Sequence, residues 1–143
     1  MITTRPGAAQ DIVAEDASGR YMITEIELIT CEIELPWPPS VNTYYRTHRG
    51  RMLLSEKGRK YKKHVKSLWA LLPKFGDLRL MVEIYAFPPD RRKRDIDNII
   101  KPVLDALEGA GVYDNDSQID SLSIRRKGVV KGGSLLVTIS EHE

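Results

Sequence analysis

A chain of 143 residues, 41% of them hydrophobic and with a net charge of +2, can bury one core and is too apolar for a disordered polyelectrolyte. No apolar run is long enough to span a membrane, Met1–Tyr21 lacks the hydrophobic centre of a signal peptide, and the cytoplasm is the default expectation. The single Cys31 excludes an internal disulfide, and His48, His64 and His142 have no zinc-ligand spacing.

Charge is unevenly spread along the chain. Residues 1–35 lean acidic. From Arg46 to Lys66 the balance reverses, with Arg46, Arg49, Arg51, Lys57, Arg59, Lys60, Lys62, Lys63 and Lys66 facing only Glu56. A local excess of this kind suggests a face for a polyanion that the mild net charge conceals.

In chain order, residues 1–21 mix Gly, Ala, Pro and acids without period and are expected to form a poorly ordered or docking arm. Residues 22–143 form the folded domain. Ile23–Leu35 alternates acids and apolar residues at period two, which predicts a half-buried strand, bulged or broken near Ile29-Thr30. Cys31 lies in this pattern and reads as a buried thiol, in keeping with a reducing compartment.

Pro36-Trp-Pro-Pro39 stops the strand, and Ser40–Arg51 reads as a polar loop carrying Tyr44, Tyr45 and cations. Such a loop can stack on bases, or the tyrosines can pack on the core with their hydroxyls in water. Tyr61, Val65, Leu68, Trp69 and Leu72 recur at helical spacing, predicting a helix over 55–72 capped by Ser55. Its opposite face is basic and suited to phosphate.

Leu78–Phe87 is a second strand. A helix beginning at Asp97 or Asn98 places Ile99, Ile100, Val103, Leu104 and Leu107 on one face, keeps Pro102 close to its first turn, and ends at Gly109-Ala-Gly111. Ile119–Lys127 and Ser134–Ser140 read as strands paired in a hairpin through Lys131-Gly-Gly133. The predicted fold is α+β: a single small domain, one mixed β-sheet packed with two helices, in the order β-α-β-α-β-β.

The chemistry concentrates between Phe87 and Lys101. Arg91, Arg92, Lys93 and Arg94 precede Asp95 and Asp97, and Lys101 follows on the helix. Cations beside closely spaced carboxylates can hold a phosphate backbone and a divalent metal; the bland reading is a solvated loop. Asp114-Asn-Asp116 offers a further acid after the helix, but a helix of about 12 residues spans roughly 18 Å. The second loop must therefore fold back, or the site must involve another chain. A calcium-loop reading of Asp114–Arg125 fails, because Ile119 stands where Gly is required and Arg125 where Glu is required.

Three segments in order, Leu35-Pro-Trp-Pro-Pro-Ser-Val-Asn-Thr-Tyr-Tyr-Arg46, Pro89-Asp-Arg-Arg-Lys-Arg-Asp-Ile-Asp-Asn98 with Lys101, and Asp116-Ser-Gln118, resemble the RusA-type Holliday junction resolvases. These are crossover junction endodeoxyribonucleases of bacteria and their phages. The resemblance runs from about Ile33 to the C-terminus. It implies a homodimer, dependent on Mg²⁺ or Mn²⁺, that nicks two strands of a four-way DNA junction in recombination and repair. Asp95, Asp97 and Asp116 fall at the metal-binding positions, Lys101 at the catalytic lysine, and Arg94 at a DNA-contacting cation. The expected DNA surface comprises Arg91, Arg92, Lys93 and Arg94 with Tyr45, Arg46, Arg49, Arg51, Lys60 and Lys63. On the helix alone, Lys101 is an i,i+4 partner for Asp97, worth about 0.2–0.5 kcal/mol. Other readings of the same residues are a non-catalytic junction- or duplex-binding protein, a structural partner docking through its acidic arm, and a nuclease for other branched DNA.

Overall fold

Apolar residues alternating at period two dictate three strands that share one buried face. The computed structural model describes residues 11–15, 17–19, 21–25 and 28–142. β1 (Asp11–Glu15) and β2 (Tyr21–Glu25) pair antiparallel as a hairpin. The predicted 1–21 arm therefore lies partly outside the described residues, and this hairpin crosses its boundary. β3 (Thr30–Pro36) begins after a break, as the slip near Ile29-Thr30 suggests, and buries Cys31, Ile33 and Leu35. β6 (Leu80–Phe87) buries Leu80, Val82, Ile84 and Ala86, and β8 (Ser134–Glu141) buries Leu135, Val137 and Ile139.

These strands join β7 (Ile119–Arg126) in a mixed sheet of order β3-β8-β6-β7. β8 runs antiparallel to both β3 and β6, while β6 and β7 are parallel. The expected β7–β8 hairpin is thus corrected, because β6 lies between its two strands. The Lys131-Gly-Gly133 turn is present, with Gly132 and Gly133 at φ 81° and 73°. The chain before it follows the end of β6, with Lys127 N donating to Ala86 O at 2.8 Å and Val130 N to Pro88 O at 2.9 Å. A methyl group on Gly133 would meet Trp37 Cβ at 2.7 Å, so the turn seats β8 against Trp37.

Two long helices cover the buried face, and the prediction of two helices is corrected by a third, short one. α1 (Val41–Tyr44) and the hairpin β4 (Tyr45–His48)–β5 (Arg51–Leu54) replace the expected loop. The hairpin turns at Arg49 (φ 49°) and Gly50 (φ 72°), the two left-handed positions a two-residue turn demands. α2 (Glu56–Trp69) is capped by Ser55, whose Oγ accepts from Gly58 N at 3.0 Å. The Ser55 backbone N–H donates to Tyr44 O at 2.9 Å, fastening α1 to the start of α2. Tyr61, Val65 and Trp69 face the core.

α3 (Asp97–Gly109) buries Ile99, Val103, Leu104, Ala106 and Leu107. It ends where Gly111 takes a left-handed φ of 75° and donates to Glu108 O at 2.9 Å. A 3₁₀ turn, Asp116–Gln118, then leads into β7.

Candidate functional site

The loop between β6 and α3 is built around a carboxylate that sequence reading passed over. Asp90 Oδ1 accepts from Arg94 Nη1 at 2.6 Å and from the Arg92 backbone N–H at 2.9 Å. The Arg94 side-chain bond, followed by the Arg92 backbone N–H, lowers its pKa from 3.8 to about 2. Arg94 lies over the Trp37 ring, its guanidinium carbon 5.9 Å from the centroid, and its carbonyl accepts from Arg126 Nη2 at 2.5 Å. The loop's own Asp90, Arg126 of β7 and Trp37 of the Pro-rich segment therefore fix one arginine.

Two clefts flank this arginine. One, of about 520 Å³, gathers Arg91, Arg92, Arg94, Arg126 and Lys127. The other, of about 470 Å³, is lined by Trp37, Pro38, Pro39, Ser40, Lys93, Arg94, Asp95 and Asn98. Arg126 and Lys127 were missing from the expected DNA surface. The run Arg125-Arg-Lys127 at the end of a strand is the signal that could have found them.

Asp95 and Asp97 are both exposed at the start of α3. Lys101 and Asp105 follow Asp97 at i+4 and i+8, which places all three on one helix face. Lys101 pairs with Asp105, Nζ to Oδ1 at 3.1 Å, rather than with Asp97 as its position also allowed. Both residues line a third cleft, of about 780 Å³, together with Asn42, Tyr45, Arg46 and Met52 from α1 and the β4–β5 hairpin. Arg49 and Arg51 stand exposed at the tip of that hairpin, and Lys60 and Lys63 on the outer face of α2, Lys60 paired with Glu56 at 3.2 Å.

The tyrosines divide between the two expectations. Tyr44 is fully buried and meets Tyr45 edge-on at 4.8 Å between centroids, while Tyr45 is half-buried and lines the cleft. Among the described residues neither buried hydroxyl has a hydrogen-bond partner, so the hydroxyls are not in water. Burial first, and the Asp105 charge second, push the Tyr44 phenol up to about 12.

Asp116 is half-buried at the far end of α3, where its backbone N–H donates to Glu108 Oε1 at 3.2 Å. Gln118 holds this loop with four hydrogen bonds. Its Oε1 accepts from Asp114 N at 3.0 Å and Asn115 N at 2.9 Å; its Nε2 donates to Gly76 O at 2.9 Å and Leu78 O at 2.7 Å. Asp114 is exposed, and of the two acids it is Asp116 whose backbone N–H meets α3.

Asp105 is a carboxylate that its surroundings make hard to ionise. Burial, then the neighbouring Asp116 and Glu108 charges, raise its pKa from 3.8 to about 6, despite the ammonium of Lys101 beside it. A carboxyl whose folded pKa lies above its unfolded value costs stability once ionised. That cost is absent below about pH 4, grows through the interval to about 6, and is full above it. Asp105→Asn is therefore expected to melt with wild type near pH 4 and to be more stable by about 2 kcal/mol above pH 7. Thermal melts at the two pH values check this.

Among the described residues, no three His, Cys, Asp or Glu side chains converge to hold a metal ion. Glu108, which Asp116 touches, lies eleven residues beyond Asp97, about 16 Å along the helix. Asp95 and Asp97 therefore sit apart from Asp116 in one chain, and the three do not form a single-chain ion site.

An α+β domain that sets carboxylates along one helix between cationic clefts has the layout of a protein that handles a phosphate backbone. The family model for the endodeoxyribonuclease RusA matches residues 36–140, and the chain belongs to that family. It is 41% identical over 111 residues to the crossover junction endodeoxyribonuclease of Enterobacteria phage HK97, spanning 76% of this chain and 92% of that protein. It is 40% identical over 114 residues to that of Escherichia coli strain K12, spanning 78% of this chain and 95% of the relative. Among solved structures, the periplasmic domain of Helicobacter pylori MotB overlays 92% of this chain and 85% of its own, with a TM-score of 0.39 at 16% identity. A likeness that weak bears on neither fold nor function.

Proposed function

We propose that this chain is a homodimeric, metal-dependent endodeoxyribonuclease that resolves four-way DNA junctions by paired nicks, acting in the cytoplasm with Mg²⁺ or Mn²⁺. The observation that carries this reading is the helix α3, which sets Asp97, Lys101 and Asp105 on one face beside the cationic loop, inside a segment matched by the RusA family model. The relatives' names supply the substrate.

Asp95 and Asp97 of one copy, with Asp116 of a second, would hold the ion; the lack of a three-carboxylate cluster among the described residues of one chain supports that sharing. A divalent ion held there supplies a Lewis acid for the scissile phosphate and a water acidic enough to attack at neutral pH. The rest of the work falls to the chain's own groups. Arg91, Arg92, Lys93 and Arg94 neutralise phosphates and set the register of the strand. Lys101 donates to oxygens on which charge develops. Tyr45, Arg46, Arg49 and Arg51 present a rigid hairpin to the flanking arm, and Lys60 and Lys63 extend the basic surface.

The shared site is tested by mixing. Asp97→Asn and Asp116→Asn are each expected to be inactive alone. Mixed dimers rebuild one intact site if the ligands come from two chains, and so nick a single strand. If all ligands lie in one chain, the mixture stays inactive.

Arg126 enters the phosphate cleft as a fixed cation. Arg126→Gln is expected to weaken junction binding about equally for all sequences, and to reduce the slope of log affinity against log salt by about 0.9. A salt titration of binding in EDTA measures both.

A further inference from the structure

We propose that Asp105 is the positioning residue for Lys101, holding the ammonium group in the cleft where it meets the scissile strand. This rests on the nuclease reading and assigns a role within it. Lys101 has an acid one turn before it and another one turn after it, and the structure joins it to the later one, Asp105, at 3.1 Å. Helix energetics do not explain that choice. An acid N-terminal to a lysine is the better i,i+4 order, and Asp97 offers it.

The pair is also asymmetric. The Asp105 side chain is 23% exposed and that of Lys101 58%, so the carboxylate is seated and the ammonium faces the open cleft. Lys101 carries three donors and Asp105 takes one, leaving others for phosphate oxygens. Asp105 is a half-buried carboxylate, and a half-buried charge is costly unless it is paired. A helix kept only for stability has no use for a third carboxylate there; a site that must aim a lysine does. Without Asp105, the lysine's flexible stem is free to wander among solvated rotamers, and misplacement of about 1 Å is enough to cost a hundredfold in rate.

The test is single-turnover cleavage of a synthetic four-way junction in Mg²⁺ at saturating protein, with junction binding measured separately in EDTA. Wild type, Asp105→Asn, Asp105→Glu, Lys101→Met and the Asp105→Asn/Lys101→Met double variant are compared. Asp105→Asn is expected to cleave about ten- to a hundredfold more slowly, with binding changed less than about twofold. Asp105→Glu is expected to recover part of the rate. The double variant is expected to be no slower than Lys101→Met alone, since Asp105 acts through the lysine. Undiminished cleavage by Asp105→Asn, or additive losses in the double variant, overturns the proposal while leaving the nuclease reading in place. Absence of cleavage by wild type removes the nuclease reading and the proposal with it.

Discussion

Asp97→Asn is expected to abolish junction cleavage, by at least about a thousandfold, while leaving junction binding intact or slightly tighter. The substitution keeps the shape of the side chain and removes its charge. Asp97 is exposed in the first turn of α3, so its structural duty is limited to its interaction with the helix N-terminus, worth about 0.3–1 kcal/mol. A small fall in melting temperature beside a complete loss of nicking therefore separates catalysis from stability. Binding survives because it is carried by the arginine-rich loop, whose geometry depends on Asp90 rather than on Asp97. Gel-shift binding in EDTA and denaturing-gel cleavage in Mg²⁺, on the same preparation, read the two effects apart.

Gln118→Leu is expected to destabilise the chain by about 3 kcal/mol and to lower cleavage more than binding. The side chain is 6% exposed and satisfies two backbone N–H groups and two carbonyls at once. Leucine fills the volume and leaves all four without their partner. Those nearest the surface recover water, which keeps the loss below the sum of four buried deficits. The freed segment carries Asp116, so the acid expected to complete the metal site loses its place along with the turn. Thermal or urea unfolding measures the first effect. A wild-type melting temperature in Gln118→Leu would show that the four bonds are replaced without cost.

How much of this was legible in the sequence varies by element. The α3 start at Asp97, the Ser55 cap and the three alternating core faces follow from local pattern, and the structure has them. The β7–β8 hairpin did not follow, because a Gly-Gly turn reports only that the chain reverses. What decides the pairing is β6, a strand apolar enough to sit at the centre and take partners on both edges. The β4–β5 hairpin was hidden for a different reason. Arg49 occupies a left-handed position usually held by Asn, Asp or Gly, so the turn lacks its usual sequence mark.

At the site, acidic and basic residues close in sequence were visible, and their division into separate groups was not. Asp90 reads as one more loop acid until the arginines on either side are seen to close on it. Asp105 carries no mark in the sequence that sets it apart, and burial first, then the nearby Asp116 and Glu108 charges, make its surroundings unusual. Helix length alone foretold that Asp97 and Asp116 would stand apart unless the second loop folds back, and it left open whether another chain takes part.

The most direct test of the central claim is cleavage of a four-way junction with each strand labelled in turn, by wild-type protein in Mg²⁺ and in EDTA, beside a linear duplex of the same sequence. Nicks are expected at two symmetry-related positions of the junction, dependent on the metal, with the linear duplex left whole. Binding without nicks in Mg²⁺ or Mn²⁺ would contradict it and leave a DNA-binding protein; equal cutting of the linear duplex would leave a nuclease without the junction.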